Sequence, residues 1–368
     1  MEQKHGRRIS NGNMTRPFVL SVLLVALALP VSAQTPSTLA PSTAQTTPAQ
    51  PEYPIIRVGV LSYLQYAAET QNRDGANSFD VTRAYLNVNA QVASRVRFRF
   101  TPDIRRITDG SLAGSLTLRV KYAFGQLDTL GQSGSWARFG LHQTPWLDFE
   151  ESINRYRVQG TMFAEREGLI PGSGDFGASY FTPLPHGFGE VHAGVFNGEG
   201  FTQAEANKYK SVQGRLTVRP FPNRGIMHGL RISGFFNKGW YAADRPRDLG
   251  IVMGSFEHRY LVATLQYVNA TETPSATTPV EFDRKGWSAF AEPKQGPSGW
   301  AGLVRYDSFE PDESLPDSTQ QRVIAGGGYW FVWPRSKVGL VLTNEHINYD
   351  LSTRLDENRI LLQMHFEF

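Results

Sequence analysis

Arginine recurs two or four residues apart through much of this chain. Arg97 and Arg99 stand in Arg-Val-Arg-Phe-Arg-Phe, Arg119 and Lys121 in Leu-Thr-Leu-Arg-Val-Lys-Tyr, and Arg215 and Arg219 in Arg-Leu-Thr-Val-Arg. A guanidinium stays charged at any physiological pH, and its planar fork matches carboxylate and phosphate oxygens. On an extended strand, side chains two apart share one face, so these segments would line up donors for anions. Of the 37 basic residues 29 are Arg, which makes the chemistry that of guanidinium rather than amine. Over all alternating segments the same-face cations are Arg57, Arg83, Arg97, Arg99, Arg119, Lys121, Arg138, Arg215, Arg219, Arg231, Arg305 and Arg359. The acids of that parity are Glu190, Asp307, Glu345 and Glu367. Others fall in connections: Glu310, Asp312, Glu313 and Asp317 in one, Glu165, Glu167 and Asp175 in another. This segregation predicts a cationic wall that concentrates anions. A mixed, weakly selective wall is the alternative, if some arginines meet headgroups at the rims or pair with Glu367 or Asp307.

Other chemistry is sparse. The chain has no Cys, which excludes a disulfide framework and any thiol site. Its eight His show no metal-ligand spacing, so neither metal nor cofactor is expected. His142, His192 and His365 share the parity of the cations and read as polar wall residues. Ser179 and His192 could belong to a nucleophile–base pair, but no spacing singles them out, and no catalytic residue is assigned. Gly326-Gly327-Gly328 lies in a strand and matches no phosphate loop; it eases close strand packing or a bend. The 37 basic residues stand against 34 acidic ones, and residues 1–33 hold four basic residues and one acidic one. The remainder is formally neutral, which gives no argument for nucleic acid.

The elements that must position the arginines are strands. Arg83–Ala90, Arg95–Phe100, Ser115–Tyr122, Gln213–Arg219 and Arg359–Phe368 alternate polar with small or apolar residues, the mark of a strand with one apolar face. About sixteen such segments begin near residues 55, 79, 95, 114, 136, 175, 188, 208, 227, 248, 259, 283, 298, 320, 337 and 356. Their connections alternate between short (such as Val92–Arg95, Glu257–Tyr260 and Trp333–Lys337) and long (such as Glu69–Ser78, Thr144–Gly174, Asn197–Asn207 and Gly239–Arg247). Gly125–Ser135 is long where a short turn is due, and Asp109–Ala113 is short where a long loop is due. Outer-membrane barrels have short periplasmic turns, long outer loops and an even strand number. Trp136, Trp287, Trp300, Trp330, Trp333 and Tyr260 near strand ends fit interfacial aromatic girdles. The fold class is therefore all-β, a transmembrane antiparallel barrel of about sixteen strands over residues 55–368. The terminal Phe368 resembles the assembly signal of such barrels, with the barrel-assembly machinery as its partner.

The chain opens on an export signal. Thr15-Arg16 precedes an apolar run from Phe18 to Leu29, too short for a spanning helix, then Pro30 and the small-x-small Val31-Ser32-Ala33. Residues 1–33 are read as a signal peptide, whose start is Met1 or Met14. Residues 34–54, rich in Thr, Pro, Ala and Ser, are read as a disordered linker.

Several segments resemble the phosphate-selective porins of the O and P type. Phe79-Asp80-Val81-Thr82-Arg83-Ala84-Tyr85-Leu86 with Phe98-Arg99-Phe100-Thr101-Pro102-Asp103 is similar to that family's opening strands. Arg138–Trp146, Phe163-Ala164-Glu165-Arg166, Gly172–Gly177 and Gly194-Val195-Phe196-Asn197-Gly198 resemble the family's next strands and loop. The match covers residues 79–200. It implies a sixteen-stranded barrel, a homotrimer and lumen arginines; Trp146 stands where the family has a small residue. The longest outer connection, residues 144–175, carries Arg155, Arg157 and Arg166 and is expected to fold inward and set the narrowest section. The expected function is passive diffusion of small, preferably anionic solutes such as phosphate across the outer membrane of a two-membrane bacterium. Lipid and lipopolysaccharide would be the surroundings; Glu310–Asp317 reads by default as a solvated acidic loop, with bridging of divalent cations to lipopolysaccharide as the alternative. The alternatives are a general porin, a plugged structural or adhesive barrel, and, last, a barrel enzyme.

Overall fold

The computed structural model describes residues 52–368 apart from 74, 108–109, 206, 243–244 and 275–279. The leader and nearly all of the linker lie outside the described residues. Sixteen strands make up the wall: β1 (Ile55–Gln71), β2 (Asn77–Ala93), β3 (Val96–Arg106), β4 (Leu116–Asp128), β5 (Trp136–Gln143), β6 (Gly174–Pro183), β7 (Gly189–Phe196), β8 (Ser211–Val218), β9 (Leu230–Ala242), β10 (Arg245–His258), β11 (Leu261–Glu272), β12 (Phe282–Pro293), β13 (Gly299–Glu310), β14 (Gln320–Trp333), β15 (Ser336–Tyr349) and β16 (Glu357–Glu367). Each begins within three residues of the start read from alternation. Neighbours pair antiparallel in chain order, and β1 pairs with β16 to close the barrel. The seam is tied at its end by Val60 and Phe368, whose backbone groups exchange hydrogen bonds of 2.7 and 3.0 Å. A closed sheet leaves no edge and satisfies its backbone internally, as hydrocarbon requires.

Residues directly opposite on antiparallel strands share a face, so facing can be traced around the wall. Ser288, Asp307, Arg322 and Ile347 form one rung across β12–β15 and point inward. Leu216, Phe236, Val252, Leu265, Val304, Leu342 and Leu362 point outward and stay exposed. This apolar belt, with a polar and charged interior, places the barrel in an outer membrane. Trp300, Trp333 and Tyr260 are exposed near the short-connection end and Trp287 near the other, as girdles require. Trp136 and Trp330 do not join them. Trp330 is fully buried, and it fits inside because its cross-strand partner is Gly339, where an added Cβ would lie 2.6 Å from the indole. Trp136 stacks on Phe181 at 5.1 Å, also on the inner face.

One long connection proves short. β9 and β10 are separated only by residues 243–244, because the ladder continues through Lys238 opposite Asp248 and Gly239 opposite Arg247. Cross-strand polar pairing carries these strands beyond the apolar belt. The two misfits shrink as well: β4 runs on to Asp128, leaving 129–135 as its turn, and 107–115 forms the outer connection between β3 and β4.

Candidate functional site: the loop across the barrel interior

The connection between β5 and β6 folds inward. Thr144 is extended and Pro145 opens helix α1 (Pro145–Ile153), where a missing N–H costs nothing. Asn154 accepts from the Tyr156 N–H at 2.9 Å and starts a 3₁₀ turn over Arg155–Val158. A short helix α2 (Phe163–Arg166) comes next. The apolar residues of this loop pack on the inner wall of β9–β15. Trp146 meets Phe235 at 5.7 Å between ring centroids, Tyr156 meets Trp330 edge-on at 5.6 Å, and Phe163 meets Phe309 edge-on at 6.1 Å. Gly286 makes the seat for Phe163, since a Cβ there would lie 2.9 Å from its ring. Polar ties complete the docking. Arg305 donates to Thr161 O at 3.2 Å, Gln159 to Glu345 at 2.7 Å, and Gln363 to Val158 O at 2.8 Å. Trp146 thus lies in the loop's own buried core, not in the passage.

The loop's polar side looks toward β1–β4. Arg157 is clamped between Glu151 and Glu165 at 2.8 and 2.6 Å. Burial alone would raise the Glu151 carboxyl; Arg157, Lys121 and Arg83 outweigh it and hold that group below its ordinary range. The neighbouring Glu150 turns the other way, accepting from the Trp146 indole at 2.8 Å. Its carboxyl is pushed up to about 7 by burial, against the pull of Arg305 and of that hydrogen bond. On the wall, Lys121 donates to the Tyr85 hydroxyl at 2.5 Å, and Arg83 donates to the same oxygen. Lys121 reaches the interior through a bulge: Thr101 pairs with Tyr122 and Pro102 with Val120, so Lys121 and Tyr122 are both buried inward.

The twelve predicted wall cations divide into two sets. Seven have a carboxylate partner: Arg97 with Asp128, Arg119 with Asp103 at 2.8 Å, Arg138 with Asp148 at 3.2 Å, Arg215 with Glu190 at 2.8 Å, Arg231 with Glu257 at 2.8 Å, Arg305 with Asp307 at 2.8 Å, and Arg359 with Glu345 at 3.0 Å. Among the described residues Arg57, Arg83, Arg99, Lys121 and Arg219 form no ion pair, although Glu151 and Glu165 act on Arg83 and Lys121 at longer range. Arg219 falls just beyond β8, in the turn to β9. The other four occupy the adjoining strands β1–β4. Arg57, Arg97, Arg99 and Arg138 line a cavity of about 440 Å³ at the short-connection end, with Asp128 its one acidic lining residue. The loop arginines are all paired, Arg155 with Glu292, Arg157 as above, and Arg166 with Glu167 at 2.5 Å.

The twelve-to-four segregation is corrected by this arrangement. Asp80, Asp103, Asp128, Glu257, Glu272 and Glu292 also face inward, as do Arg322 and Arg284. Two of these acids were hidden by bulges. Thr82 is skipped in the β1–β2 register and Lys121 in the β3–β4 register, so a period-two count across either residue inverts the facing of Asp80 or Asp128. Pro102, within β3, was the available signal of irregular pairing. Asp175 lies in β6, and Glu165 and Glu167 are carried into the interior by the loop.

Ser179 and His192, on β6 and β7, do come together at 3.1 Å, with the imidazole edge-on to the stacked Trp136 and Phe181. The charges acting on the imidazole are Arg215 and Arg138, cations where an imidazolium-stabilising carboxylate would be needed. Among the described residues no group of three His, Asp or Glu is arranged to hold a metal.

No family model matches the sequence, and no curated protein is similar to it. The fold has solved counterparts. The outer-membrane expressed OmpT of Vibrio cholerae superposes with a TM-score of 0.60 at 13% identity, covering 87% of this chain and 99% of that one. An anion-selective porin from Comamonas acidovorans gives 0.60 at 12% identity, with 86% and 100% covered. OmpF of Salmonella typhi, in complex with daunomycin, gives 0.57 at 10% identity, with 85% and 97% covered. At these identities the likeness is one of fold: a porin-type barrel.

Proposed function

We propose that this barrel is a narrow passive porin of the outer membrane, preferring small anions such as phosphate, with no catalytic step. The observation that carries the reading is the uneven neutralisation of the wall. Arg57, Arg83, Arg99 and Lys121 form no direct ion pair and sit together on β1–β4, where the loop sets Glu151, Glu165 and Arg157 toward Arg83 and Lys121 and its apolar contact reaches only Tyr63 and Leu61. Solutes pass between this wall and the Glu151–Arg157–Glu165 edge of the loop. A net positive passage raises the local anion concentration, and a confined site screens less than bulk water. Guanidinium geometry favours oxyanions, which supports phosphate within the anion class. The Ser179–His192 pair lacks the carboxylate that a nucleophile's base requires, which supports a non-enzymatic barrel. The family resemblance adds a homotrimeric assembly, and Phe368, tied to Val60 just beyond β16, suits delivery by the barrel-assembly machinery. Planar-bilayer recording under a salt gradient tests the reading: conductance with an anion-signed zero-current potential is expected. A second reading, a plugged barrel, is favoured by the burial of Lys121 and Tyr85, 2% and 7% exposed. Absence of any conductance would select it.

A further inference from the structure

A second cavity, of about 390 Å³, opens at the long-loop end, between the end of the inward loop and strands β8–β10. Ser211, Gln213, Asn237 and Tyr241 supply its polar side, Ile170 and Leu249 its apolar side. Its shape is set by the sheet register. One rung places Gln213, Asn237 and Leu249 in line, and on the next Arg247 faces Gly239, which has no side chain to fill the space. The amides are linked in a chain: Gln213 donates to Ser211 Oγ at 3.3 Å, Ser211 bonds Asn237, and Asn237 donates to Arg247 O at 2.9 Å. The buried Oε1 of Gln213 has no hydrogen-bond partner among the described residues. Polar side chains held in a network with one acceptor unused are what a hydrogen-bonding ligand completes.

The charged side chains around this cavity are engaged by the protein's own groups. Arg247 pairs with Glu272 at 3.3 Å and donates to Gly198 O at 3.1 Å. Arg245 donates to Pro274 O at 2.9 Å, and Glu199 accepts from Asn207 at 2.7 Å. The contrast with the arginine-lined cavity at the other end is one of net charge. A site whose charged groups are held by hydrogen bonds of the protein's own, with several amide and hydroxyl groups and an apolar flank, suits a neutral ring bearing many hydroxyls. The volume is near the low end for ligand sites, about 300 Å³ and upward. We propose that this cavity is a subsite for a small neutral sugar, met by solutes before they reach the loop. The proposal rests on the pore reading only for its role in uptake; binding itself needs no conduction.

The test is calorimetric titration of the full chain in detergent with maltose, and with benzoate as an anionic ring of similar breadth. Maltose is expected to bind in the millimolar range, with little dependence on salt. In Gly239→Leu the cavity is filled; the new Cβ would meet its nearest atoms at 3.4–3.5 Å, an ordinary contact. At least a tenfold loss of maltose affinity is expected there, and a similar loss in Gln213→Met, which leaves the backbone untouched. Heat-modifiable gel migration checks that both variants fold. No maltose binding, equal binding by wild type and both variants, or variant-sensitive binding of benzoate alone would overturn the proposal. Maltose binding without conductance would retain the subsite and sink the pore; conductance without maltose binding would do the reverse.

Discussion

The two sides of the barrel interior solve different problems. The β9–β15 side is apolar in its middle: Phe235, Ile251, Met253, Leu303, Ile324 and Val341 point inward and are covered by Trp146, Tyr156 and Phe163 of the loop. The β1–β5 side is more polar, with Arg57, Arg83, Arg99 and Lys121 in no direct ion pair beside the buried rings of Tyr63, Tyr122 and Phe124. The interior of a transmembrane barrel is ordinarily polar. Here one half behaves as a globular core that fastens a loop, and the other half carries the cations without a direct ion pair. Charge on the first half serves docking; under the proposed function, charge on the second serves solutes.

The largest effects should come from the core-like half. Trp146→Ala or Phe163→Ala empties a fully buried site and should cost about 3–5 kcal/mol of loop docking. Heat-modifiable migration should fall to lower temperature, and single-channel conductance should rise severalfold and become noisy. Unchanged conductance would separate the loop from the constriction. Next comes Arg305→Gln, which removes a buried partner of Asp307 and the tie to Thr161 O. Since Arg322 still lies 3.3 Å from Asp307, the loss should be roughly 1–3 kcal/mol, read as a lower unfolding temperature with ion selectivity preserved. A change in selectivity as large as that from Arg83→Gln would erase the distinction between the halves.

A smaller effect should track pH. Burial lifts the Glu150 carboxyl to about 7, so the docked loop keeps a proton that a released loop would lose. Docking is then strongest below the ordinary carboxylate range and weakens as pH rises through 7. Conductance noise should increase between pH 5 and pH 8 in the wild type, and Glu150→Gln should flatten that dependence. A rise in noise toward acid instead would reverse the assigned sign.

Much of this architecture was legible in the chain. Strand starts, closure and the inward loop come from period-two alternation and from connection lengths, because a sheet between lipid and water leaves a strong binary pattern. The wall's charge balance was less legible. A single skipped residue, Thr82 or Lys121, inverts parity downstream, and no composition signal marks it beyond Pro102 nearby. The destination of Trp146, Trp330 and the loop's Glu151 and Glu165 depended on tertiary packing. An inward-facing Trp has the same local sequence as a girdle Trp until its partner, Gly339, is known.

The central claim is that selectivity lives on β1–β4 and not across the barrel. Zero-current potentials under a potassium chloride gradient test it most directly, comparing wild type, Arg57→Gln/Arg83→Gln/Arg99→Gln and Arg231→Gln/Arg359→Gln. The wild type should show an anion-signed potential that shrinks at high salt, as screening over about 10 Å at 0.1 M requires. The first variant should move clearly toward cation preference, and the second, whose arginines face Glu257 and Glu345, should move much less. Equal shifts in the two variants, or a wild type without anion preference, would contradict the account.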